Sequence, residues 1–484
     1  MFETAFAQLR YAASVLFAIP FDLRSLDKLV DGILATQREF GSIGSDGAEF
    51  LGGSELDEET RREVQLRRYR TQAQRAANET SYYHPIFHDL GLEPSQLRYE
   101  DIARIPVTPK EALRSDPDAF VRRGTDPAFR TTTTGTTGKP TSVYFTAREI
   151  QATGLLAAIT FLQSGQITPQ DIVQISTSSR ATLGNTCFSQ ACQRIGAVWY
   201  QTGLVDPAQA LSLLAEEHYL PGKKRRGSFL NTYASYLGEL VECGLRSGYR
   251  PEDFGLERIS VGGEIVTKGL KERCRKLFGP VEFIQGYAMT ETWPFGGTRC
   301  DEGHLHFEPS QGLLEVLDPE TLEPAPPGQT GTIVATPFPP YREASVVLRY
   351  NTEDLVEPLA GPLSCNLKNW PATTDLLGKL RLSVRGPEGW IHPRQIREAL
   401  EAIEEVPLPA RCGFLAVPGG VAVEVLVRET DPISRNKIWQ SLEEQKVPVL
   451  ELNLVEAANQ LRNPLPLRCD LRENSFEPRS LFEP

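Results

Sequence analysis

Long apolar runs, an excess of positive charge and closely paired cysteines are what this chain lacks. No stretch approaches the roughly 20 apolar residues that a membrane-spanning helix needs, so no membrane partner is expected. Residues 12–19 are apolar but few, follow Arg10 and run into a charged segment without a small-residue cleavage site, which suits an amphipathic helix better than a leader. Lys and Arg number 51 against 63 Asp and Glu, a net charge of -12. That balance excludes the broad basic surface that tracks a nucleic-acid backbone. The 8 cysteines form no CxxC pair, and a chain this large needs no staples. They read as reduced thiols of a cytoplasmic protein. Internal repeats and low-complexity tracts are missing too.

With 484 residues, 40% of them hydrophobic, the chain can bury a large core and should divide into at least two domains. Charged residues alternate with spaced leucines and alanines over 55–80, a helical pattern. Thr108 is placed to cap a helix begun by Pro109, with Glu111 at capping-box spacing. From 140 to 310, short β-branched runs at 142–145, 172–175, 197–200, 259–261 and 281–284 alternate with helical stretches, as in a mostly parallel, helix-covered sheet. Residues 313–317 and 331–336 look like an antiparallel hairpin section. Beyond Gly378, strands at 380–384, 414–417 and 421–427 and a helix at 393–403 suggest a second unit. The expected fold class is α/β: a large domain over 1–377, with a helical extension, parallel helix-covered sheets and a β-rich subdomain, then a small mobile α+β domain over 378–484.

The segment Thr133-Thr134-Gly135-Thr136-Thr137-Gly138-Lys139-Pro140 joins hydroxyls, two glycines and a lysine. Glycines let backbone N–H groups face an anion, hydroxyls add donors and lysine adds charge, which is phosphate-binding chemistry. Pro140 follows the lysine, so the GxxxxGK[ST] nucleotide-hydrolase pattern does not fit. A β-prone threonine run ending in a turn is the plainer reading. Ordinary residue frequencies would produce the pattern by chance in roughly one chain in a million.

Downstream stand Gly262-Gly263-Glu264 after a strand, Tyr287-Ala288-Met289-Thr290-Glu291, and Arg349-Tyr350-Asn351-Thr352-Glu353-Asp354. Together with the threonine loop, these resemble the motifs of the adenylate-forming superfamily. The segment from Ile105 to Arg114 and Gly303-His304-Leu305-His306-Phe307-Glu308 are similar to its phenylacetate-CoA ligase branch, and the resemblance spans about residues 50 to 400. It implies ATP- and Mg²⁺-dependent activation of a small or aromatic carboxylic acid as an acyl-adenylate, with transfer to a thiol of coenzyme A or a carrier-protein phosphopantetheine. It also implies roles: residues 133–138 and Thr290 on phosphate, Thr290, Glu291 and Lys139 in catalysis, Glu291 on Mg²⁺, Gly263, Glu264 and Tyr287 at adenine, Asp354 on ribose, and Lys379 among the cofactor-binding residues. The expected partners are a carboxylic acid or acyl thioester, with an acyl carrier protein and a second copy of the chain as further candidates.

Two departures from the family pattern stand out. At the domain junction Lys379 replaces an expected arginine and the hinge aspartate is absent. No lysine follows Lys446, where the family places one that contacts the carboxylate and α-phosphate; Arg462 and Arg468 are the available substitutes. These departures motivate an alternative, a diverged member acting as an acyl-thioester hydrolase, transferase or binding protein.

Weaker signals complete the reading. The basic cluster Lys223, Lys224, Arg225 and Arg226 reads as a solvated loop, with docking of an acidic carrier as the other option. Cys300, His304, His306 and Cys365 could supply a zinc site, although reduced cysteines and loop histidines are the reading the sequence favours. Trp293 to Gly297 would line an acyl pocket or pack in the core. Cys187 and Cys192 are candidate thiol nucleophiles without a paired histidine motif.

Overall fold

The computed structural model describes residues 2–40, 58–133 and 140–472. Two N-terminal helices, α1 (Phe2–Phe17) and α2 (Leu23–Phe40), precede the longer α3 (Glu58–Glu79) and α4 (Tyr83–Leu90). In α3, Tyr69, Ala73, Ala76 and Ala77 are buried at helical spacing, so one stripe faces the core. Polar residues on that helix are buried against backbone carbonyls instead: Arg68 donates to Pro339 O at 2.6 Å and Gln72 to Pro337 O at 3.0 Å.

A short helix α5 (Lys110–Ser115) leads to the hairpin β1 (Pro127–Thr132) and β2 (Ser142–Thr146). Helix α6 (Ala147–Gln163) then starts on a capping box between Thr146 and Glu149. The strands β3 (Ile172–Ser176), β4 (Val198–Gln201), β5 (Phe229–Thr232), β6 (Arg258–Val261) and β7 (Glu282–Tyr287) follow, separated by α7 (Thr182–Ile195), α8 (Pro207–Ala215), α9 (Ala234–Arg246) and α10 (Lys268–Phe278). They pair in parallel in the order β4-β3-β5-β6-β7, as their β-branched runs and intervening helices require. β8 (Gly297–Arg299), β9 (Leu305–Phe307) and a later short strand extend this sheet antiparallel.

A second, antiparallel sheet contains β10 (Gly312–Leu317), β11 (Gly331–Pro337) and β12 (Tyr350–Val356). The later strand on the first sheet is β13 (Ala372–Thr373), and β14 (Gly378–Lys379) closes the second against β12. Then come the hairpin β15 (Val384–Gly386) and β16 (Gly389–Ile391), α11 (Pro393–Glu401), β17 (Cys412–Val417), β18 (Gly420–Leu426), α12 (Pro432–Glu444) and β19 (Val449–Val455). Ile396, Leu400, Val423, Val425, Ile438 and Leu442 form a core of their own among these last elements.

Local expectations need three corrections. The strand expected over 380–384 is a 3-10 turn at Leu380–Leu382 followed by β15, because Ser383 folds back, its amide donating to Leu380 O and its hydroxyl to Lys379 O. Helix α5 begins at Lys110, one residue later than expected, since Thr108 is engaged elsewhere. Its hydroxyl donates to Leu348 O at 2.6 Å, and its backbone pairs with Arg349 and Asn351. The basic cluster is not a free patch: Lys223 binds backbone carbonyls, Lys224 pairs with Asp171 and Glu257, Arg226 pairs with Glu217, and Arg225 lies over the Tyr219 ring.

Candidate active site

In a parallel sheet the ligand crevice forms beyond the carboxyl ends of the strands. Here the residues following β5, β6 and β7 are Tyr233, Gly263-Glu264 and Met289-Thr290-Glu291, and all line one cleft of about 250 Å³. Thr131, Thr132 and Thr133 of the β1–β2 hairpin and Asp354 and Lys379 of the second sheet line it from other sides. Five cations (Lys110, Arg114, Lys379, Arg381, Arg468) face three carboxylates (Glu264, Glu291, Asp354) in this wall. A chain of net charge -12 thus keeps a locally cationic site, suited to an anionic ligand.

Asp354 is fixed by strand pairing. It sits opposite Lys379 in the β12–β14 register, and Lys379 Nζ lies 2.7 Å from its Oδ1. Tyr287, at the end of β7, donates its hydroxyl to Oδ2 at 3.1 Å. Burial and the Asp354 charge hold the Tyr287 hydroxyl well above its ordinary pKa, so it remains a donor. A carboxylate has about four lone-pair sites, which leaves Asp354 capacity for further donors.

Glu291 is 1% exposed. Tyr350 OH donates to its Oε1 at 3.2 Å, and Lys110 Nζ stands 3.5 Å from the same oxygen. Burial, then the Glu291 charge, raises Tyr350 far above the phenol range. Arg342 is fully buried nearby, its guanidinium 4.0 Å from the centre of the Phe145 ring. Burial lowers its pKa to about 10, against the opposing charges of Glu149 and Glu291, so it stays a cation. Both terminal nitrogens of Arg342 lack a hydrogen bond among the described residues.

The turn after β6 meets the C-terminal segment. Gly263 has φ +74°, a backbone conformation that favours glycine, and a Cβ there would lie 2.8 Å from the Arg468 guanidinium, which would have to shift. Arg468 Nε donates to Gly263 O at 2.8 Å, and the Arg468 amide donates to Glu264 Oε1 at 2.7 Å. The other Glu264 oxygen accepts the Ser235 amide at the start of α9, at 2.8 Å. Arg462, by contrast, is turned away and paired with Glu424 at 2.5 Å.

The sequence-predicted residues Thr133, Gly263, Glu264, Tyr287, Thr290, Glu291, Asp354 and Lys379 therefore share one cleft. Thr133 closes the base of the threonine loop, its hydroxyl accepting the Thr141 amide at 3.0 Å. Thr134, Gly135, Thr136, Thr137, Gly138 and Lys139 lie outside the described residues. Lys110, Arg114 and Arg381 were absent from the predicted site, although Lys110 and Arg114 lie in the family-like segment from Ile105 to Arg114. Trp293 lines the cleft, whereas Phe295 packs against Phe307 in the core. Burial pushes the Cys187 and Cys192 thiols up to about 12, which disfavours a nucleophilic role.

Comparison with known proteins bears on the family and the fold. The family model described as AMP-binding enzyme matches residues 70–336. A phenylacetate-coenzyme A ligase of Thermus thermophilus is 26% identical over 333 residues, covering 67% of this chain and 72% of that one. One of Pseudomonas putida is 26% identical over 311 residues, covering 62% and 67%. Among solved structures, 2-hydroxyisobutyryl-CoA ligase in its postadenylation state superposes with a TM-score of 0.69 at 20% identity, over 84% of this chain and 88% of that one. The chain belongs to the AMP-binding enzyme family, the adenylate-forming superfamily, and within it to the phenylacetate-CoA ligase-like branch.

Proposed function

We propose that this enzyme activates a small or aromatic carboxylic acid with ATP and passes the acyl group to a thiol. The observation that carries the reading is the convergence of the threonine hairpin, Tyr287 to Glu291 and the Asp354–Lys379 pair on one cationic cleft. In the first step the carboxylate attacks the α-phosphorus, giving acyl-adenylate and pyrophosphate. In the second a thiol attacks the acyl carbon, giving thioester and AMP, and the thiol proton goes to solvent.

On this reading the 133–139 loop and Thr290 hold the phosphates, Asp354 accepts the ribose hydroxyls, and Tyr287 lies along the base. Lys379 and the Tyr287 hydroxyl hold Asp354 oriented before nucleotide arrives. Lys110 and Arg114 add positive charge beside Glu291. A single buried carboxylate next to a hydroxyl residue suits Mg²⁺, which is usually held by one or two carboxylates plus phosphate oxygens. Glu291 would hold it, and the bound ion would neutralise phosphate charge. Arg468 is the C-terminal cation in the cleft, and we assign it the charge-neutralising role for which Arg462 is out of place.

Residues 1–377 and 378–484 act, in this reading, as a nucleotide-holding unit and a smaller unit that repositions between steps. The separate core of the latter supports the division. Gly378 supports a pivot there: its φ is +139°, and the Pro393 ring lies 2.7 Å from where a Cβ would stand. Coenzyme A is favoured as acceptor over a carrier protein, because the relatives are named as coenzyme A ligases and the basic loop at 223–226 is already paired.

Incubation with ATP, Mg²⁺, coenzyme A and a panel of short and aromatic acids, read by mass spectrometry, tests the proposal. Acyl-CoA formation that needs ATP is the expected result. ATP-independent hydrolysis of acyl thioesters, with no ligation, would instead favour the diverged hydrolase reading.

A further inference from the structure

The hairpin between β8 and β9 carries Cys300, His304 and His306, and Cys365 reaches it from the connection between β12 and β13, 59 residues on from His306. One ligand atom from each of these four residues lies within 4.8 Å of the others. Tetrahedral zinc with two thiolates and two imidazoles needs edges of about 3.3–3.8 Å. The His306 Nε2 to Cys365 Sγ edge is already 3.2 Å, so closure asks only for a modest inward movement of the longer edges.

The surroundings have the features of a built site. His306 is 0% exposed, and its Nδ1 lies 3.4 Å from Trp370 O. That carbonyl can only accept, so Nδ1 carries the proton and Nε2 offers its lone pair toward Cys365. His304 Nδ1 is buried without a hydrogen bond among the described residues; Glu302 Oε2, at 3.9 Å, is beyond hydrogen-bond range. Cys300 Sγ accepts the His304 amide at 3.3 Å across the turn, a contact that would disperse thiolate charge. Gly303, at φ +89°, makes that turn possible. Leu363 and Leu367 pack around the two cysteines and exclude water.

The geometry points to a structural Zn²⁺ site formed by Cys300, His304, His306 and Cys365. Four protein ligands leave no open position, which is the pattern of a structural rather than a catalytic ion. On binding, two thiol protons leave to solvent and two thiolates balance the ion's charge. The site would pin the 357–371 connection onto the β8–β9 hairpin. β8 pairs with β7 at Gly286 and Tyr287, so the ion would stiffen the sheet edge that presents Tyr287 and Glu291. This inference does not depend on the proposed reaction.

Metal analysis of full-length protein purified without chelators or an affinity metal column is the test. About one zinc per chain is expected, with a sulfur-to-metal charge-transfer band when Co²⁺ replaces it. Cys365→Ser and His306→Ala should each lose the metal. Should those variants fail to fold, zinc-edge X-ray absorption of the wild type gives the answer alone, two sulfur and two nitrogen scatterers being expected. Metal-free wild type that fails to bind added Zn²⁺ or Co²⁺, a Cys300–Cys365 disulfide in the native protein, or full zinc content in the folded variants would overturn the proposal.

Discussion

Lys379 Nζ stands 2.7 Å from Asp354 Oδ1, across a two-residue strand pair that ties residue 354 to the start of the C-terminal unit. The pair makes the nucleotide wall and the junction between units a single structure. Removing the carboxylate should therefore affect nucleotide capture more than folding. Hydrogen bonds to a charged group are worth about 1.5–3 kcal/mol. Asp354→Ala is expected to raise KM for ATP by roughly tenfold to a hundredfold. Steady-state kinetics with ATP varied, alongside a thermal melt close to wild type, checks this; an unchanged KM would remove Asp354 from the nucleotide site.

Glu291 is buried beside Lys110 and Tyr350 rather than capping a helix, so its charge has a local purpose. Glu291→Gln keeps the shape and removes that charge. The expected effect is a fall in kcat of about 10² to 10³, the scale of losing one preorganised electrostatic contact. Nucleotide binding measured without Mg²⁺ should change little. If kcat survives while metal-free binding collapses, Glu291 is a structural carboxylate.

The two C-terminal arginines separate cleanly. Arg468→Ala should lower the adenylation rate by about 10² to 10³, with Arg468→Lys recovering part of it as a point charge rather than a planar fork. Arg462→Ala should leave that rate within a few-fold, because Arg462 serves Glu424 in the last sheet. Single-turnover pyrophosphate release by the three variants is the readout. Equal losses at both positions would contradict the assignment.

His392 gives a pH signature. Burial lowers its pKa from 6.5 to about 4 in the fold, where it contacts Thr330 and Ser383. The folded state therefore binds fewer protons than the unfolded one between these values. Its contribution to stability is complete above about pH 6.5 and is lost as pH falls toward 4, on the order of 3 kcal/mol in all. Urea unfolding at pH 7.5 and pH 5 should show wild type losing more stability than His392→Asn. Parallel losses would show that His392 is accessible to protons in the fold.

Much of this was legible in the sequence because the signals are local. Parallel strands, the glycine turn at Gly263 and the motifs around Thr290 and Asp354 each depend on contiguous residues, and their order matched the sheet. Lys110 stood in a family-like segment without an assigned role, because its partner Glu291 is remote in sequence and only the fold joins them. The misread strand at 380–384 failed on one serine that prefers its own backbone. The metal site was half visible, as Cys300, His304 and His306 lie close together. Cys365 was named with them, but only the fold brings one ligand atom of each of the four within 4.8 Å of the others.

The central claim is that one cleft joins ATP to a carboxylic acid, and ATP–pyrophosphate exchange measures that step without the acceptor thiol. Wild type with a cognate acid should exchange pyrophosphate into ATP in an acid-dependent way. Asp354→Ala and Glu291→Gln should each lose most of that exchange while melting near the wild-type temperature. Exchange undiminished in both variants, or no exchange with any acid beside ATP-independent thioester hydrolysis, would contradict it.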